Sequence, residues 1–140
     1  MDRMRRCCAC WLVLMAMSSF ASSTAAEGEF PFGRELILDT SPMRGSKRMP
    51  ILEIAENGTA SIDLWCASLR GQATIAAESI AIVPGEPNAV QSNPAQCTPE
   101  RMRSDDDLIA ALSQVTNWRR RGDVVELGGA STLRFRLMTN

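Results

Sequence analysis

Histidine and tyrosine are absent from the 140 residues, and aromatic side chains make up only 5%. Without histidine, neither a Cys–His nor a Ser–His pair can form, which excludes the common nucleophilic dyads and triads. Zinc at the two cysteines beyond the N-terminal region would need carboxylates for its remaining ligands, unlike the Cys/His sets of structural zinc sites. The same region has no CxxC redox pair. Charge of one sign is also lacking. Fifteen Lys and Arg stand against sixteen Asp and Glu, a net −1. Such a chain has no overall attraction to nucleic acid or anionic lipid.

The N-terminus carries a different signal. Arg3, Arg5 and Arg6 precede a mostly apolar run from Cys7 to Phe20, and Ala21-Ser-Ser-Thr-Ala-Ala26 follows. A basic start, a short apolar stretch and small residues at −3 and −1 (Thr24, Ala26) form the pattern of a secretory signal. The run falls short of the ~20 residues a spanning helix needs. Residues 1–26 are therefore expected to be a cleaved signal, and residues 27–140 a single periplasmic or secreted domain. Losing Asp2, Arg3, Arg5 and Arg6 would move the net charge from −1 to −3.

Cleavage removes Cys7, Cys8 and Cys10 and leaves Cys66 and Cys97. In an oxidising compartment a remaining pair is expected to join as a disulfide, with two buried free thiols as the alternative. Closing a loop from 66 to 97 would stabilise the fold by ~3.5–4 kcal/mol on the chain-entropy view.

The pattern along residues 27–140 is mostly β. Strands are expected at 34–40, 51–54, 59–64, 117–121, 124–127 and 132–138, with two more, or one bent strand, across 72–77 and 78–83. Asn57-Gly58 between apolar runs predicts a hairpin, because both residues accept positive φ. It also completes an Asn-Gly-Thr sequon, which the turn explains without sugar. Residues 41–50 and 84–96 are rich in turn formers and read as loops.

One helix is expected. It starts at Thr98-Pro99, or six residues later at Ser104, where Ser104 and Asp107 have capping-box spacing. Leu108, Ile109, Leu112 and Val115 would share its apolar face. Asp105, Asp106 and Asp107 lack the alternate spacing and glycine turn of a calcium loop, so the helix dipole is the expected reason for them. The fold class is α+β: an antiparallel sheet with one packed helix. Trp118 followed by Arg119, Arg120 and Arg121 reads as a solvated edge strand rather than a nucleic-acid patch. Alternation places Trp65 opposite Ala60, Ile62 and Leu64. It is there either a candidate contact for a partner or cover for the cysteine pair.

In order and spacing these pieces resemble the META domain (HslJ-like) family, as a divergent member, over residues 34–138. The motifs are Trp65-Cys66-Ala67-Ser68-Leu69-Arg70-Gly71, then Cys97, then Asp107-Leu108-Ile109-Ala110-Ala111-Leu112. Gly122-Asp123-Val124-Val125-Glu126-Leu127 and Leu133-Arg134-Phe135 close the series. Trp65 and Ala67 stand where the family pattern has glycine and asparagine. The resemblance implies a sheet curled into a partly open barrel with one helix across it, no enzymatic activity, and no cofactor. It implies an envelope stress-related module that binds a partner protein or an apolar ligand. A secreted inhibitor or adhesin-like protein acting through residues 41–50 or 84–96 is the alternative. Paired carboxylates for hydrolysis are not recognisable.

Overall fold

The computed structural model describes residues 28–88, 95 and 97–139. The expected signal, with Cys7, Cys8 and Cys10, lies outside the described residues, as does most of the second half of the 84–96 loop. Eight strands and one helix follow in the order β1 (Leu36–Leu38), β2 (Ile51–Ile54), β3 (Thr59–Asp63), β4 (Ser68–Ile75), β5 (Ile80–Pro84), α1 (Pro99–Ser113), β6 (Val115–Arg121), β7 (Val124–Gly129) and β8 (Leu133–Leu137). The strands form one antiparallel sheet in the order β5-β4-β3-β2-β1-β8-β7-β6. The sheet curls so that β5 and β6 come together across a seam. The seam carries the isolated bridge between Ser79 and Asn117, where the Trp118 N–H donates to the Glu78 carbonyl at 3.1 Å. The result is a nearly closed barrel with an unsealed seam, and α1 packs against β5.

Period-two patterning explains the interior. Leu69, Ile62, Leu52, Leu36 and Leu137 pair in register across β4, β3, β2, β1 and β8, and all five are buried. Phe135 joins them, opposite Leu38 on one side and Val125 on the other. On β3 the intervening Ser61 and Asp63 are exposed, as a one-sided sheet requires.

The Asn57-Gly58 hairpin is present. Gly58 has φ +86°, and the Asn57 side-chain oxygen accepts the Thr59 N–H at 2.9 Å. A Cβ on Gly58 would lie 2.7 Å from the Ala73 carbonyl oxygen, so the neighbouring strand adds a steric demand for glycine to the conformational one. The stretch 72–83 is two strands, β4 and β5, joined by a turn. β4 begins at Ser68, earlier than expected, since Ser68 to Gly71 already pairs with β3.

The helix starts at the earlier of the two expected positions. Thr98 is the N-cap, with Oγ1 accepting the Arg101 N–H, and Pro99 opens the first turn. Its inward stripe is Arg101, Asp105, Leu108 and Leu112, and Ile109 packs partly buried at its side. Val115, expected on the helix, is the buried first residue of β6. The chain turns at Gln114, whose N–H reaches back to Ala111. β6 is the last strand in the sheet order, and Arg119 and Arg121 are exposed on it.

Candidate functional site

The two ends of β4 carry the two features of interest. At the Ser68 end, the chain leaves β3 through a tight turn in which the Leu64 N–H donates to the Ala67 carbonyl at 2.8 Å. This turn ends the alternation on which the outward placement of Trp65 rested. Ser61 and Asp63 are exposed, whereas Trp65 is half-buried and packs against the core. Its indole N–H is buried and meets no acceptor among the described residues.

Asp105 holds this turn. Its carboxylate accepts the backbone N–H groups of Trp65, Cys66 and Ala67, each at 2.9 Å. The helix-dipole reading of Asp105 is thereby corrected. The helix begins at Pro99, so Asp105 lies well inside it, and its side chain faces inward at 4% exposure. Burial pushes its pKa above the ordinary 3.8, against the three N–H donors and the Arg48 charge that pull it down. Arg101, one turn earlier, is also buried, and its guanidinium donates to the Arg44 carbonyl at 2.8 Å. That bond ties the 41–50 loop to the helix. Sequence reading missed both residues, because a buried charge on a helix breaks the apolar periodicity used to find the inner face.

Cys66 is buried and Cys97 half-buried, and both are free thiols in this structure. Cys97 is among the groups that act on the Cys66 thiol. Burial pushes the Cys66 thiol up to about 12, with Cys97 and the Asp105 charge adding to the rise. Those surroundings favour the neutral thiol over the thiolate. Among the described residues, no group of three or more His, Cys, Asp and Glu side chains is placed to hold a metal.

At the Ile75 end lies a cleft of about 670 Å³ beside the seam. It is lined by Phe30, Phe32, Ile75, Ala76, Ala77 and Trp118, with Glu29, Glu78 and Arg119 among the charged residues. The lead-in segment forms one wall. Phe30 packs edge-on to Trp118, with centroids 5.2 Å apart, and Phe32 lies 5.0 Å from Phe30. The Trp118 indole N–H donates to the Ala76 carbonyl at 3.0 Å, fixing the ring across the seam. Arg120 clamps the lead-in by donating to the Glu29 carbonyl at 3.1 Å. The volume falls in the ~300–1,000 Å³ range of small-molecule sites, and the aromatic lining is typical of them. Phe30 and Phe32 read in the sequence only as lead-in residues. Nothing local signals that they cross the end of a barrel to meet Trp118.

The family profile of the META domain matches residues 33–140. No curated protein matches the chain, and no solved structure does. The barrel, the helix packed on it and this match over most of the sequence place the protein in one group: the chain belongs to the META domain family.

Proposed function

We propose that this META-domain protein is an exported, non-enzymatic binding module of the cell envelope, and that the seam cleft holds an apolar ligand. The observation that carries this reading is the aromatic lining, in which Phe30, Phe32 and Trp118 stand together with Ile75 around about 670 Å³. Burying an apolar molecule there would be favoured by about 25 cal/mol for each Å² removed from water. The basic start and small-residue cleavage pattern of residues 1–26 support export. The high Cys66 value and the missing histidine support a role without covalent catalysis. The stress-related role rests on the family.

Trp118 reports on the cleft directly. In a Trp65→Phe protein lacking residues 1–26 it is the sole tryptophan. Titration with the neutral apolar dye N-phenyl-1-naphthylamine should give saturable energy transfer from Trp118. Phe32→Ala, at a residue 38% exposed, should weaken that binding without unfolding the domain. Unsaturable transfer, or binding that Phe32→Ala leaves unchanged, would count against the cleft.

A further inference from the structure

The helix α1 holds both partners of the cysteine pair. Cys97 immediately precedes the N-cap Thr98 and is fixed to the helix through the chain. Cys66 is fixed to the same helix through Asp105, which takes the three N–H groups of residues 65–67 at 2.9 Å each. Asp105 lies on the inner stripe with Leu108 and Leu112, so the core anchors the clamp. Three charge-assisted bonds to consecutive N–H groups leave the turn little freedom to move relative to the helix. One helix thus holds the chain on both sides of the pair, at the N-cap beside Cys97 and at the Asp105 carboxylate beside Cys66.

We propose that Asp105 is the positioning residue of a Cys66–Cys97 disulfide, and that its hold on residues 65–67 sets how strongly the pair resists reduction. The proposal is independent of the seam cleft, which lies at the other end of β4. With glutathione disulfide as oxidant the chemistry balances. The thiolate of Cys97, the more exposed of the two, attacks one glutathione sulfur and releases a glutathione thiolate. Cys66 then gives up its proton and attacks the Cys97 sulfur of the mixed disulfide, releasing the second glutathione. The protein dithiol loses two electrons and two protons, and two reduced glutathione molecules form. Pre-positioning acts as a high effective concentration of Cys66 at Cys97. It favours the intramolecular bond over the mixed disulfide, and so the oxidised protein over the reduced one.

The test equilibrates the full-length protein with reduced and oxidised glutathione. Alkylation under denaturing conditions is then mapped to Cys66 and Cys97 by peptide mass spectrometry. Asp105→Ala should lower the equilibrium constant for the disulfide at least tenfold, and Asp105→Asn, which keeps one acceptor oxygen, should lie between it and the wild type. Val125→Ala removes volume from a buried position on β7 and should leave the constant unchanged, separating positioning from general destabilisation. An Asp105→Ala constant within threefold of wild type overturns the proposal, and so does a Val125→Ala shift as large as that of Asp105→Ala. Should Asp105→Ala not fold, Asp105→Asn carries the test: a fall of threefold or more supports the clamp, and a smaller one overturns it.

Discussion

The Asp105 carboxylate on α1 accepts the Cys66 backbone N–H at 2.9 Å across thirty-nine residues of chain. With its bonds to Trp65 and Ala67 it satisfies a turn that no strand neighbour could serve. Removing it would leave three N–H donors without their acceptor. Each lost bond to a charged group is worth about 1.5–3 kcal/mol, with non-additivity reducing the sum. Asp105→Ala should therefore destabilise by roughly 3–5 kcal/mol, read as a lower urea midpoint. A loss below about 1 kcal/mol would mean that water replaces the carboxylate at that turn.

The pH dependence has a definite sign. Because the folded carboxyl sits above the ordinary 3.8, the folded chain keeps a proton that the unfolded chain gives up. This contribution to stability is complete below the unfolded value and is lost as pH rises through the folded value. Urea unfolding from about pH 3.5 to about pH 7 should show the wild type losing stability relative to Asp105→Asn as pH rises. A difference that grows with pH would place the folded carboxyl below 3.8.

Leu112 is 1% exposed on the inner stripe of α1. Leu112→Ala should cost ~2–5 kcal/mol through lost burial and the cavity left behind. A thermal or urea midpoint that barely moves would place this face in solvent and contradict the packing of α1 on the sheet.

Most of the barrel was legible because each strand has one wet and one dry face. Ala60, Ile62 and Leu64 alternate with Ser61 and Asp63, and the structure buries the first set. Asn57-Gly58 marked its hairpin because glycine is needed there twice, for φ and for the approach of Ala73. The less legible parts are those set by contacts between distant segments. β4 starts at Ser68 because its pairing with β3 resumes straight after the Asp105-held turn. Val115 left the helix because the chain turned at Gln114 to meet β7. Counting leaves Cys66 and Cys97 as the two cysteines of the domain. The acid that holds the Cys66 turn to the helix could not be found that way, since no spacing rule links residue 105 to residues 65–67.

The same turn makes a prediction for Trp65. Half-buried against the core, its indole should be quenched weakly by acrylamide in a Trp118→Phe protein lacking residues 1–26. Trp65→Phe should change stability by less than about 1 kcal/mol, because the lost N–H has no acceptor among the described residues. Efficient quenching, together with protection by envelope extract, would instead assign Trp65 a contact role.

If residues 1–26 direct export, the exported protein should carry the cysteine pair oxidised. Thiol labelling under denaturing, non-reducing conditions should then find neither Cys66 nor Cys97 modified. Two labelled thiols per chain in material taken from the envelope would show that the pair remains reduced there.

Native mass spectrometry of the protein purified gently from its own envelope tests the central claim, a cleft at the seam that holds an apolar ligand. We predict a population heavier than the chain by one small apolar molecule. That mass should be released by organic solvent and be reduced or lost in Phe32→Ala. Protein that carries no added mass, and takes up none from an envelope lipid extract, would contradict the account.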